Sequence, residues 1–340
     1  MRRHLLARWL LVALLAASCG TAKRTPPVAQ AQPTTTSTTT STTTTTIPTF
    51  PLTGVPVGDA GAARRPAITV KIDNSAAARP QAGVDKADLV YEEFTEGITR
   101  FVVVFHSAEA DVVGPVRSVR PADPAIVTPL GGVLGFSGGS PAAVEVAQQS
   151  PLTLVTEGDR EVMYRREGRF APHNLYTSTA GLLSRAPPEA GPPPKFAEFL
   201  REGQSFTAAE TTPVSHLSLV PAPFATADYD WDGESRTWKR TTDGAAHILE
   251  GDVQIAPRTV IVQYTPYSEF AGDSAVRYPE VVGSGEAWIF TAGLLAKGTW
   301  SKPSPEAVTA YTDGAGKPIV LPPGQTWIHL VEPGSTVNPS

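Results

Sequence analysis

Leu89-Val90-Tyr91-Glu92-Glu93-Phe94-Thr95-Glu96-Gly97-Ile98-Thr99-Arg100-Phe101-Val102-Val103-Val104-Phe105-His106 is the stretch whose reading decides the fold. Its β-branched and aromatic content predicts two strands, 89–94 and 98–106. The link through Glu96-Gly97 is short and contains glycine, so the two strands are expected to pair as a hairpin. Phe101 to Phe105 are all apolar. An alternating strand has one wet face; an unbroken apolar run has none, so this strand is expected to be central and buried.

Working outward, Ala67 to Ile72 predicts another strand, ended by Asp73-Asn74. Pro121 to Thr128 predicts a short helix opening with proline, and Val133 to Phe136 a further strand. Ser140-Pro141 starts a helix through Gln149, because serine caps orphan N–H groups and proline suits the first turn. A last helix is expected over Thr179 to Arg185. Pro187-Pro188 and Pro192-Pro193-Pro194 then interrupt the chain, followed by the apolar segment Phe196 to Leu200. Beyond it the apolar runs are short and alternating, as in 215–220, 259–264, 287–291 and 326–331. The expected class is therefore α+β. A mixed-sheet N-terminal domain with helices spans 61–205, and a smaller, mostly-β C-terminal domain spans 206–335.

The chain has 340 residues and one cysteine, Cys19. Arg2, Arg3 and Arg8 precede a short apolar run, Trp9 to Ala17, and Ser18 stands before the cysteine. A charged start, a short apolar core and small residues form a secretory signal. Small residues before a cysteine are the pattern of bacterial lipoprotein signals, in which the thiol is acylated and the chain is cut before it. Ala16 stands where such signals usually have leucine, and an ordinary cleaved signal is the alternative. The run is shorter than the ~20 residues that span a bilayer. Arg2-Arg3 leaves twin-arginine and general export both open. Residues 1–18 are thus the expected signal peptide, and Cys19 the expected lipidation site. The body is expected on the outer face of the bacterial cytoplasmic membrane, with the membrane as a partner through the lipid.

Residues 34–46 are threonine and serine alone, bounded by Pro33 and Pro48. Such a stretch has no apolar face to offset its ordering entropy, so 19–60 is expected to be a disordered tether. A single cysteine leaves no internal disulfide. The formal net charge of −5 argues against nucleic acid as a partner, because phosphate binding needs a clustered basic surface.

Several blocks carry a resemblance. They are Val70-Lys71-Ile72-Asp73-Asn74, Ala78-Arg79-Pro80-Gln81, Ala87-Asp88-Leu89-Val90-Tyr91-Glu92 and Gly97-Ile98-Thr99-Arg100. Gly114-Pro115-Val116-Arg117-Ser118-Val119-Arg120 and Pro172-His173-Asn174-Leu175-Tyr176-Thr177 follow. The C-terminal blocks are Gly283-Ser284-Gly285, Gly298-Thr299-Trp300-Ser301-Lys302 and Pro323-Gly324-Gln325-Thr326-Trp327. In this order, over about residues 64 to 332, they resemble the YerB-type family of bacterial lipoproteins. Val119 stands where that family commonly has alanine. The resemblance implies a two-domain exported lipoprotein in an envelope setting. Both family domains are of unknown function, so no catalytic residues carry over.

The candidate ligand-binding residues are Arg100, Arg117, Ser118, Arg120, Asp123, His173, Asn174 and Tyr176. They lie in stretches without periodicity, punctuated by glycine and proline. Arginine grips carboxylate or phosphate through a planar fork. The alternative is that these arginines pair with Asp73, Asp88, Glu92 or Asp123 and fix loop geometry. His173 is a candidate general base, for which Ser118 or Ser137 would be the group deprotonated. Gly135-Phe136-Ser137-Gly138-Gly139 fits the spacing of a nucleophile elbow, but no helix follows Ser137 directly and a glycine turn from strand to helix accounts for it better. No residue is assigned as catalytic.

No metal site and no cofactor is expected. The histidines show no H-x-H or H-E-x-x-H spacing. Asp228-Tyr229-Asp230-Trp231-Asp232-Gly233 copies half a calcium loop, but its twelfth position is Lys239, a cation. Two strands turning at Asp232-Gly233 explain the segment better. Trp231, Trp238, Trp288, Trp300 and Trp327 are expected mostly to fill a β core, exposed ones being able to stack on sugar rings.

Three readings follow. The first is a non-catalytic binding or scaffolding lipoprotein acting on a cell-wall polymer or a membrane-bound envelope enzyme. The second is an envelope hydrolase or transferase using the arginine/His173 surface. The third is solute binding for transport. Geometry separates the first two: catalysis needs His173 within hydrogen-bond reach of Ser118 or Ser137.

Overall fold

In the computed structural model the hairpin forms as the pattern requires. The structure describes residues 47–222 and 225–340; the signal segment, Cys19 and the Thr/Ser stretch 34–46 lie outside them. The tether expected over 19–60 ends earlier than that: Phe50, Leu52 and Thr53 are buried, and the Pro51 and Thr53 carbonyls accept the N–H groups of Phe196 and Gly324, because the apolar Phe50 and Leu52 can pack where threonine and serine cannot. Ile68–Asp73 is β1, Leu89–Thr95 β2 and Ile98–Phe105 β3. β2 and β3 pair antiparallel from Leu89↔Val104 to Thr95↔Ile98. Glu96 and Gly97 between them have φ of 47° and 85°, the left-handed pair that a tight hairpin turn uses. Phe101 to Phe105 are at most 1% exposed. β1 pairs with the other edge of β3. Val133–Phe136 (β4) and Thr153–Thr156 (β5) extend the sheet in parallel from β1.

The helices are short. Asp123–Val127 (α1) has Pro124 in its first turn. Pro141–Gln148 (α2) is capped by Ser140, whose side chain accepts the Ala143 N–H. Thr179–Leu183 (α3) is capped in the same way by Ser178. Tyr164–Arg165 (β6) and Leu175–Tyr176 (β7) form a small hairpin before it.

Beyond α3 every regular element among the described residues is a strand. His216–Ala222 (β8), Ala225–Asp232 (β9) and Thr237–Thr242 (β10) come first. Thr259–Tyr264 (β11), Gly283–Thr291 (β12), Leu294–Lys302 (β13), Ala310–Asp313 (β14), Thr326–Val331 (β15) and Val337–Pro339 (β16) follow. β9 and β10 are the hairpin expected at Asp232-Gly233, with Trp231 opposite Trp238. Lys239 pairs with Asp232 at 2.6 Å, so the would-be calcium ligand set is spread along a ladder.

The division expected at 205/206 separates two segments of chain but not two bodies. One 11-stranded sheet runs β14-β13-β12-β11-β15-β2-β3-β1-β4-β5, with Thr212–Pro213 added beside β13. The seam is β15, which lies parallel to both β11 and β2. Residues Thr46–Ser340 form one compact unit. The class is α+β: a mixed main sheet carrying the helices, and a five-stranded antiparallel sheet of β8 to β10, β16 and Ala245–Ala246.

Three apolar clusters hold these layers. On one face of the main sheet Tyr91, Val102, Val104 and Phe136 meet Ile126 and Val127 of α1 and Ala143 and Ala147 of α2. On the other face Val70, Ile72, Phe101 and Val103 meet Val113, Val116, Leu175 and Leu182. Val260, Val262, Phe290 and Val331 meet Leu217, Leu219, Tyr229 and Trp238 between the two sheets. Trp238, Trp300 and Trp327 are at most 1% exposed, as expected for core residues. Trp231 and Trp288 are only half-buried.

Candidate functional site

The segment Val113–Val119 crosses the C-terminal ends of the parallel strands β1 and β4, where open α/β sheets tend to place ligands. It is pinned on both sides. Asp73 donates its N–H to Pro115, and Arg117 donates to Lys71. Val116 donates to Leu175, and Ser137 donates to Arg117. Gly114 must be glycine, because a Cβ there would lie 2.6 Å from the Tyr176 ring.

This crossing gathers a charged group. Asp73, the last residue of β1, is fully buried. Its Oδ2 meets His173 Nδ1 at 2.7 Å and lies 3.1 Å from Arg117 Nε, while Oδ1 accepts the Ser75 N–H at 2.9 Å. The carboxylate fixes the imidazole with its proton on Nδ1. Nε2 is left with no protein partner among the described residues. Ser75 Oγ lies 3.4 Å from Nδ1, the nitrogen already held by Asp73.

A serine triad needs its nucleophile on the nitrogen opposite the carboxylate. Ser118 and Ser137 do not supply it: their hydroxyls face each other at 3.5 Å, and neither hydrogen-bonds to His173. The Gly135–Gly139 stretch is the end of β4 and the turn from it towards α2, with Gly138 at φ 143°.

The other candidates are committed elsewhere. Arg100 and Arg120 both bind Glu96, at 3.1 and 2.5 Å. Arg120 also donates to Thr95 Oγ1 and to its neighbour's carbonyl on Val119. Asp123 holds Lys71 at 2.7 Å and accepts the Arg120 N–H. Asn174 accepts from Arg165 and donates to the Arg169 carbonyl. Tyr176 is buried beneath the Arg166 guanidinium, 4.6 Å from its ring centre. Of the expected acidic partners, Asp88 instead accepts the N–H groups of His106 and Ser107, and burial pushes its pKa up to about 6.

Beneath the crossing lies a buried polar chain that the candidate set omits. Glu92 and Arg240 are each about 1% exposed and meet through two hydrogen bonds, at 2.6 and 3.1 Å. Trp327 Nε1 and Thr99 Oγ1 also donate to Glu92. Burial works to raise the Glu92 pKa, but Arg240, His329 and the Thr99 hydrogen bond together outweigh it and hold the carboxyl down at about 2. Arg240 donates to the Tyr229 hydroxyl, which lies 2.8 Å from His329 Nε2.

On the other side Arg240 Nε donates to Thr242 Oγ1, which lies 2.8 Å from His247 Nδ1. His247 Nε2 meets Gln81 Oε1 at 2.9 Å, and the Gln81 amide donates to the Asp73 carbonyl. The chain has one polarity: Thr242 donates to Nδ1, and Nε2–H donates to glutamine, so His247 is neutral. Burial and the charge of Arg240 push its pKa down to about 2. The network ends on the residue that orients His173. One signal in the sequence points to it: Arg240 lies two residues after the core Trp238, on the same face of a strand.

Among the described residues no three His, Cys, Asp or Glu side chains converge to hold a metal ion. Models of the N-terminal and C-terminal domains of the family described as "Protein of unknown function (DUF3048)" match residues 52–191 and 220–328. "Putative lipoprotein YerB" of Bacillus subtilis (strain 168) is 26% identical over 293 residues, covering 83% of this chain and 85% of the relative. The crystal structure of YerB from Bacillus subtilis superposes with a TM-score of 0.73 at 22% identity, over 85% of this chain and 99% of that one. At that identity the likeness speaks for the fold.

Proposed function

The chain belongs to the DUF3048 family, and from that premise we propose that it is an extracytoplasmic lipoprotein, anchored through Cys19, that binds an envelope component without converting it. The signal pattern around Cys19 and the lipoprotein designation of the Bacillus relative support the anchor. The observation that carries the binding reading is the nitrogen shared at His173. Asp73 and Ser75 occupy Nδ1, and Ser118 and Ser137 face each other instead.

What the crossing offers a ligand is Arg117, paired with Asp73 alone among the described residues, and the free Nε2 of His173. A carboxylate or phosphate on a wall polymer, or an acidic segment of a membrane-bound envelope enzyme, suits that pair.

The test has two arms. Cys19→Ala should move the protein from the membrane fraction to the soluble one; retention of the variant overturns the anchor. Binding of residues 46–340 to wall fragments should fall about tenfold in Arg117→Ala, the weight of one charge-assisted contact. Unchanged affinity in a folded variant overturns the site. One observation favours a second reading: Asp73 orients His173 as it would a general base acting on a ligand's own hydroxyl. Turnover of an envelope polymer that is lost in His173→Asn, with binding kept, would establish that reading instead.

A further inference from the structure

On the opposite segment of the chain, β9 and β10 end in a second constellation. Trp231 packs obliquely on the buried Trp238, with ring centres 5.3 Å apart. Gly293, at φ 72°, lets the indole lie close, since a Cβ there would come within 2.9 Å of Nε1. The indole N–H has no acceptor among the described residues.

Arg258 lies across the same cleft. Its stem covers Gly324, where a Cβ would meet Cγ at 2.3 Å. Its Nη1 donates to the carbonyls of Ser235 and Arg236, at 3.1 and 2.9 Å. That fixes the guanidinium and leaves Nε and Nη2 unclaimed. Arg236, exposed at φ 57° on the hairpin tip, also lines the cleft. Neither arginine is paired with a carboxylate among the described residues. Burial and the charge of Arg236 both lower the Arg258 pKa.

The cleft between them holds about 580 Å³ of space and is walled by Leu294 and Pro322-Pro323. Arg201 adds a third cation to the lining, against a single acid, Glu202.

We propose that this cleft binds an acidic saccharide, a sugar ring carrying a carboxylate or a phosphate. Two arginines facing each other without a counter-ion repel, and an anion between them relieves that repulsion while gaining charge-assisted hydrogen bonds. The half-buried indole offers the ring a flat apolar face and a donor at its edge. The volume falls within the ordinary range for small-ligand sites. The site shares no residue with the Asp73–His173 crossing, so it stands or falls separately from the function proposed there.

The test is the indole N–H resonance of Trp231 in residues 46–340, assigned with Trp231→Phe. Trigalacturonate and glucose 6-phosphate carry the two anionic forms; maltotriose and inorganic phosphate are the controls. At least one acidic sugar should shift the resonance saturably, with a Kd of about 1 mM or tighter. Maltotriose should bind about tenfold more weakly, and Arg236→Asn, which keeps the left-handed backbone, should weaken the acidic sugar about as much. Arg117→Ala should leave it unchanged. The proposal is overturned if neither acidic sugar moves the resonance, if inorganic phosphate binds as well as both, or if Arg236→Asn binds as the wild type does.

Discussion

Lys71, Glu93 and Asp123 bring one ammonium and two carboxylates together, none more than 1% exposed. One positive charge balances one negative charge in such a place, so one carboxyl is driven to keep its proton. Burial raises Glu93 to about 7, with the neighbouring Asp123 adding to the effect against the opposing pull of Lys71. A raised folded-state pKa means that the folded protein holds this proton where the unfolded chain has lost it. The stabilisation is therefore complete below about pH 4.5 and lost as pH rises through about 7. Glu93→Gln, which mimics the protonated form, should cost about 1 kcal/mol or less at pH 5 and gain on the wild type towards pH 8. Asp123→Asn takes a carboxylate from Lys71 and from the Arg120 N–H and leaves Glu93 to give up its proton in its place, so it should cost about 2–3 kcal/mol across that range. Urea midpoints of the three proteins at pH 5, 6.5 and 8 measure both effects. Equal losses in the two variants would refute the assignment of the proton. None of this is visible in a row of letters, because Lys71 and Asp123 are 52 residues apart and only the fold brings them together.

At the scale of elements, the β2–β3 hairpin was legible because its determinants are local: an apolar run, a glycine and a two-residue link. The second duty of its turn was not. Glu96 takes a left-handed φ of 47° and also supplies the carboxylate shared by Arg100 and Arg120, whose side chains are 4% and 8% exposed. Both arginines stood out in sequence as possible ligand grips, but their forks are turned inward on this turn. The two duties separate by mutation. Glu96→Asn keeps a residue that tolerates the left-handed region. It strips two nearly buried guanidiniums of their carboxylate, which should cost about 2–4 kcal/mol. Gly97→Ala keeps the charge and strains φ at 85°, for a loss of about 1 kcal/mol or more. Chemical unfolding of both variants checks the order. A Gly97→Ala loss larger than that of Glu96→Asn would mean that the turn backbone, and not the ion pairs, holds the hairpin.

For the whole molecule, composition divides the chain near 205 and two family models divide it similarly, yet the sheet is continuous across that division. The seam could not be read in sequence because its partners are remote: Trp327 and Glu92 are 235 residues apart, Arg240 and Glu92 are 148 apart. What sequence did show at the seam was two adjacent glutamates, Glu92 and Glu93, in a largely apolar strand, and Glu92 makes physical sense only once Arg240 stands against it. Residues 46–205 alone would leave the β2 edge from Leu89 to Glu93 without β15, and Glu92 without its cation. A buried carboxylate that loses its partner costs about 3–5 kcal/mol, much of the stability of an ordinary domain. We therefore expect the separate pieces 46–205 and 206–340 to lack cooperative melting transitions and to regain one when co-expressed. Arg240→Met in the intact chain should lower stability by about the same 3–5 kcal/mol, since it strands Glu92 within a folded sheet. A sharp thermal transition in 46–205 by itself would show that the N-terminal segment closes its own sheet, and the Glu92–Arg240 contact would then be docking between domains rather than part of one core.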